Sequence, residues 1–173
     1  MGAKRDTYSN HLKALKDEGL KILRHYAAWK RMLQFGDLDN INRIQFADKL
    51  IAITCIENDL IIRLSKLTDT RTGVHSLERL KIEVPKNLDN SEEIIKGIDD
   101  CCELINIIKK KVRHQTLGHL KIGMEDDRYI PEYDLGKVIK VLIDLIDLLN
   151  NEKVNYIWQD GSQEKYNLRD FIE

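Results

Sequence analysis

Both prolines of this chain, Pro85 and Pro131, fall between its apolar-periodic stretches, and neither falls inside one. Proline lacks the backbone N–H and clashes with the preceding helical turn, so its placement marks where helices run uninterrupted. Four long stretches remain open to helix. The first runs from about Thr7 to Gln34, with Leu12, Leu15, Gly19, Ile22, Tyr26, Trp29 and Leu33 on one stripe. Gly36 and the cluster Asp37-Leu38-Asp39-Asn40 end it and offer caps for the next helix. The second runs from about Asn42 to Lys66 through Phe46, Leu50, Ile53, Leu60, Leu64 and Leu67, and Ile51, Ile56, Ile61 and Ile62 widen its apolar face.

A connector from Thr68 to Asp89 follows, with Gly73 and Pro85 in it; its Ser76–Ile82 stretch is compatible with a short helix but carries little weight. Asn90 has the position of an N-cap, with Glu93 placed to reach back in a capping box. The third helix then shows a one-sided seam of Ile94, Ile98, Cys101, Ile105, Ile108 and Val112. A glycine-bearing loop, Gly118 to Pro131, separates it from the fourth helix, about Tyr133 to Asn150. There Leu135, Val138, Leu142, Leu145 and Leu149 form the seam, while Ile139, Val141, Ile143, Ile146 and Leu148 make the helix apolar nearly all round. Such a helix is buried on more than one face, which points to a second contact surface such as a dimer interface. The remainder, Asn151 to Glu173, is a tail carrying the turn signal Asp160-Gly161, with a hairpin or a short final helix as its expected structure. The expected fold is all-α: an up-and-down four-helix bundle over residues 1–150 with a short C-terminal appendage over 151–173.

Composition narrows the function classes. The chain has 173 residues, enough for one domain with a sizeable core, and its 33% charged and 42% hydrophobic residues match a soluble globular protein. A formal net charge of -1 excludes a globally basic nucleic-acid binder but leaves room for a local basic patch. Cys55, Cys101 and Cys102 fit neither a disulfide framework nor zinc spacing, and are expected as small buried hydrophobes in a reducing compartment. With a polar start and no apolar run long enough to span a bilayer, the expected location is cytoplasmic, with no membrane partner.

One stretch concentrates chemistry. Arg113-His114-Gln115-Thr116-Leu117-Gly118-His119 follows Lys109, Lys110 and Lys111 at the end of the third helix, with Lys121 just beyond. A guanidinium donates bidentate hydrogen bonds to phosphate, and an imidazole transfers protons near neutrality. Cations at a helix C-terminus are also favoured by the helix dipole alone, so a solvated basic end accounts for part of the cluster. On an unbroken helix Arg113 and His119 point about 120° apart. They meet only if Gly118 turns the chain back, or if a second copy brings one residue to the other. His11, His25 and His75 are expected as lone surface or boundary histidines. No His-x-x-x-His or Glu-x-x-His pair, Walker loop or dinucleotide fingerprint occurs, and neither a metal nor a cofactor is expected; Glu125-Asp126-Asp127 is expected as a solvated acidic loop.

An arginine, a polar neighbour and a histidine a few residues on, at the end of a bundle's third helix, resemble the HEPN superfamily. More narrowly, Asn58-Asp59-Leu60-Ile61-Ile62-Arg63-Leu64-Ser65-Lys66-Leu67-Thr68-Asp69, Ser76-Leu77, and Tyr133 with Leu135 are similar to the AbiU-type abortive-infection branch, over about residues 5 to 150. The resemblance implies a metal-independent, homodimeric endoribonuclease of an antiphage or toxin–antitoxin system. In it His119 is the general acid or base, Arg113 stabilises the transition state, and His114 takes a supporting role. It also implies an acidic partner on the second helix, with Glu57, Asp59 and Asp69 as candidates, and RNA phosphates held by Lys109, Lys110, Lys111 and Lys121. The alternative is a non-catalytic HEPN scaffold that dimerises and binds a partner protein, such as an antitoxin, or a nucleotide.

Overall fold

The computed structural model describes residues 2–34, 41–110, 135–159, 161 and 165–172. The fold is an all-α helical bundle. Among the described residues the long helices are α1 (Gly2–Leu33), α2 (Arg43–Lys66), α4 (Ser91–Ile108) and α5 (Leu135–Asn150), with a short α3 (Leu77–Glu83) between α2 and α4. A small antiparallel hairpin, β1 (Ile157–Gln159) and β2 (Lys165–Asn167), pairs Trp158 with Tyr166 and leads into one 3-10 turn, Leu168–Phe171. No helix among the described residues is long and apolar enough to cross a membrane.

Local chemistry explains most of the boundaries. At the start of α2 the Asn42 carboxamide oxygen accepts the N–H groups of Ile44 and Gln45 at 3.0 and 2.9 Å. The Gln45 side chain accepts the Asn42 N–H in return at 3.0 Å, so this is a complete capping box. The capping box expected at Asn90 and Glu93 is not formed. Asn90 has φ -104° and ψ 20°, outside the extended conformation that aims a capping side chain at the first turn. Ser91 instead donates its N–H to the Leu88 carbonyl at 3.0 Å, so a backbone turn leads into α4. The Ser76–Ile82 stretch does form a helix, α3. Ser76 is its N-cap, accepting the Arg79 N–H at 3.2 Å and donating to the Asp69 carbonyl at 2.6 Å, and Leu77 and Leu80 are fully buried.

α3 decides the connectivity. Glu18 of α1 pairs with Arg63 of α2, and His25 with Asp59, so these two helices run antiparallel. Lys81 of α3 pairs with Asp99 of α4 as the chain climbs back along the bundle. α2 and α4 consequently end at one pole, where the Lys109 ammonium lies 3.5 Å from the Thr68 hydroxyl.

The seam read for the third helix is in place, with Ile94, Ile98, Cys101, Ile105 and Ile108 all buried, while Val112 lies outside the described residues. The apolar girth of α5 has another explanation than a dimer surface. α1 and α4 pack against it from two sides, and Tyr156 and Leu168 of the C-terminal segment join the same core. A β-carbon at Gly19 of α1 would come 2.8 Å from Ile146 Cδ1 and 3.0 Å from the Tyr156 hydroxyl, so glycine there permits the close approach of α5 and the tail. The tail is pinned by Arg169, whose guanidinium binds Asp147 of α5 and the Val154 carbonyl. Among the described residues, one surface that stays apolar and open is the first half of α2, where Ile44 is 74% and Ile51 61% exposed.

Candidate functional site

The pole where α2 and α4 end is where the chain departs for the arginine–histidine heptapeptide. Arg113, His114 and His119, with Lys111 and Lys121, lie outside the described residues. Lys109 and Lys110, at the end of α4, lie within them, and Lys109 closes the helix with its N–H on the Ile105 and Asn106 carbonyls. Its ammonium lies 3.5 Å from the hydroxyl of Thr68, just past the Leu67 C-cap of α2, and its charge acts favourably on Asp69. On the α3 side of Lys110, the carboxylates Glu78, Asp99 and Glu103 line an open groove, so the basic end of α4 has one acidic flank.

The acidic candidates separate by place. Asp69 lies at this pole. Its carboxylate takes two oxygens' worth of hydrogen bonds from the Arg71 guanidinium, at 2.9 and 3.0 Å from Nε, and one from the Arg71 backbone N–H at 3.0 Å. These bonds, with Lys109 adding a favourable charge, hold the Asp69 carboxyl down to about 2. Asp59 lies further back along α2, where it accepts Arg63 Nε at 2.6 Å and sits 3.4 Å from His25 Nε2. Arg63 also donates to Glu18 at 2.8 Å, and the two carboxylates raise its pKa against the opposing effect of burial. Glu57 is half-buried, and loss of solvent pushes its carboxyl up. Of the three, Asp69 is brought to the basic end of α4; Asp59 belongs to a structural network across the α1–α2 seam.

Two histidines expected to stand alone are in fact paired. His11 of α1 is only 8% exposed, and its Nδ1 lies 3.0 Å from His75 Nδ1 in the α2–α3 connector, the rings meeting edge to face at 4.7 Å. One ring donates and the other accepts, so the contact requires at least one neutral imidazole. Burial and the neighbouring charge of His75 lower the pKa of His11, with Arg79 acting the same way and Glu83 opposing them. A sequence separation of 64 hides this pair from any local pattern. His25 also has partners, donating Nδ1–H to the Lys21 carbonyl at 2.7 Å.

No protein-family model, curated protein or solved structure matches this chain. The chemistry of the site therefore rests on its own residues. Among those described, no group of three or more His, Cys, Asp or Glu side chains is arranged to hold a metal ion. Cys101 and Cys102 are buried thiols, whereas Cys55 is exposed on α2, contrary to the expectation that all three are buried. Cys55 lies near the middle of that helix, beside the exposed Thr54 and one turn past the exposed Ile51, which accounts for the difference.

Proposed function

We propose that this chain is a metal-independent endoribonuclease of the HEPN type, of the AbiU-like branch, acting in an antiphage or toxin–antitoxin system in the cytoplasm. The observation that carries the proposal is the convergence of Asp69 and Lys109 where α2 and α4 end. In this reading Asp69, held ionised, is an acidic partner for the heptapeptide that begins three residues after Lys110, and Lys109 is a cation for a neighbouring phosphate. In this reading His119 accepts the proton of a ribose 2′-hydroxyl as that oxygen bonds to phosphorus. The bond from phosphorus to the 5′-oxygen breaks, and the leaving oxygen takes a proton from the imidazolium of a second copy's His119. Arg113 stabilises the charge on the phosphoryl oxygens through its planar fork. His114 supports the pair, and Lys109, Lys110, Lys111 and Lys121 hold flanking phosphates. A homodimer supplies the two imidazoles that one step of acid and base catalysis demands.

The test is cleavage of total RNA by purified full-length protein in the presence of a chelator. Arg113→Ala and His119→Ala each abolish cleavage and relieve growth inhibition on expression, while leaving the oligomeric state unchanged. A wild-type protein that leaves RNA intact with and without divalent metal, and whose expression is harmless, overturns the proposal.

A second reading, a non-catalytic HEPN scaffold that binds a partner protein such as an antitoxin, or a nucleotide, draws on the exposed apolar start of α2. Ile44, Leu50 and Ile51 there leave a stripe of the kind that marks an interaction surface. That reading holds if the protein forms a stable complex through this stripe and shows no nuclease activity.

A further inference from the structure

The other end of α1 carries a cluster that the proposed nuclease centre does not use. The β1–β2 hairpin lies against α1 with the cross-strand partners Trp158 and Tyr166 side by side, ring centres 6.2 Å apart. The Arg24 guanidinium sits 5.2 Å and the Arg31 guanidinium 5.5 Å from the centre of the Trp158 ring. Arg31 is also 6.0 Å from the rings of Tyr166 and Phe171. Two positions separated by two helical turns lie on one stripe, which is why both arginines reach the same indole. Both side chains are exposed, and neither forms an ion pair among the described residues. Arg63, Arg71 and Arg169, by contrast, are each bound to a carboxylate.

An arginine stacked on an aromatic ring spends its flat face on that contact and keeps its N–H edge for a ligand. That edge matches the two oxygens of a phosphate. Here two such forks are fixed over one ring, with the Lys30 ammonium beside them, 3.5 Å from the Phe171 carbonyl. Successive phosphates along a strand can meet both forks, and the partly open aromatic rings offer a surface for an unstacked base.

We propose that Arg24 and Arg31, fixed over Trp158, form a binding site for the phosphate backbone of a single-stranded nucleic acid. The site lies about 20 to 30 Å along α1 from His11 and the pole of the proposed nuclease centre. It holds a strand at a distance from that centre and does not depend on cleavage taking place.

The experiment measures fluorescence anisotropy of a short 2′-O-methyl oligouridine, which lacks the hydroxyl that a ribonuclease of this kind attacks, with the full chain over a salt series. Arg24→Gln with Arg31→Gln weakens binding by at least about tenfold. It also flattens the slope of log K against log salt by about 1.4, two phosphate contacts at about 0.7 each on a single strand. Arg24→Lys with Arg31→Lys retains the slope and still weakens binding at least about threefold, because lysine keeps the charge and loses the stacked fork. This lysine pair also serves if the glutamine variant loosens the hairpin, which circular dichroism and Trp158 emission report. The proposal is overturned if wild type does not bind the oligonucleotide, if the glutamine variant that keeps its fold retains affinity and slope, or if the lysine pair binds as tightly as wild type. Tighter arginine-dependent binding to phosphatidylserine vesicles than to the oligonucleotide overturns it as well. Cleavage of total RNA is read separately from binding of this uncleavable oligonucleotide, so loss of the nuclease proposal and loss of this one are separate outcomes.

Discussion

Arg169 places its Nη2 against both carboxylate oxygens of Asp147, at 2.6 and 2.8 Å, and the same guanidinium donates to the Val154 carbonyl from Nε and Nη2 at 3.0 and 2.7 Å. The residue is 5% exposed and its guanidinium lies 5.4 Å from the centre of the Tyr156 ring, so charge, carbonyl and aromatic face together tie the C-terminal segment to α5. Removing one partner of such a pair leaves the other charge poorly solvated and the carbonyl without its donors. Arg169→Met therefore destabilises the fold by about 3 kcal/mol, the lower end of the range for a buried pair because Asp147 keeps some contact with water. Urea denaturation followed by circular dichroism measures it, and a loss below about 1 kcal/mol would show that the tail is not fastened by this contact.

The His11–His75 contact makes stability depend on pH. The folded state lowers the pKa of His11 below the ordinary value of 6.5, through burial and then His75, with Arg79 adding to the shift and Glu83 opposing it. The unfolded chain then binds more protons than the folded one between the lowered value and 6.5. The sign follows: this contribution is complete above the unfolded value and is lost as pH falls through the window toward the folded one. Denaturation midpoints recorded from about pH 7.5 down to about pH 5 should fall for wild type and fall less steeply for His11→Phe. Parallel curves for the two proteins are the contrary result.

Thiol reactivity distinguishes the cysteines. Burial pushes both Cys101 and Cys102 up to about 12, with Glu78 and Asp99 adding to the effect at Cys102, so neither forms thiolate near neutrality. Cys55 is exposed on α2. Iodoacetamide at about pH 8 should label Cys55 alone in the folded protein, and all the cysteines in denaturant, as read by peptide mass spectrometry. Labelling of Cys101 in native protein at the rate of Cys55 contradicts the burial of the α4 seam.

The elements legible in the sequence were those whose physics is local. The α4 seam follows from helical periodicity, and each described position of it is buried. Capping was harder to place, because a cap depends on backbone conformation as well as residue type: Asn42 has the extended geometry and Asn90 does not. α3 is too short for periodicity to announce, and its two buried leucines become decisive only with α1 and α4 around them. The apolar girth of α5 was visible, but not what fills it, since Gly19, Tyr156 and Leu168 lie far away in the chain. At the candidate site, the lysines closing α4 were plain from the sequence, whereas the meeting of Lys109 with Thr68 joins residues 41 apart.

That meeting decides among the acidic candidates. Asp69 lies beside Lys109 and is held ionised chiefly by Arg71, whereas Asp59 is engaged with Arg63 and His25 behind the pole, and Glu57 is half-buried with its carboxyl pushed up. If Asp69 orients or charges the proposed nuclease centre, Asp69→Asn removes a full negative charge while preserving shape and much of the hydrogen bonding. RNA cleavage should then fall by at least about tenfold, equivalent to about 1.4 kcal/mol of transition-state stabilisation. Asp59→Asn loosens the α1–α2 seam and lowers thermal stability, with cleavage per folded molecule unchanged within about threefold. Glu57→Gln changes neither appreciably. Initial rates of RNA cleavage, normalised to the folded fraction from circular dichroism, check all three variants together. The reverse order, with Asp59→Asn inactive and Asp69→Asn active, would move the acidic partner to the α1–α2 seam and away from the end of α4.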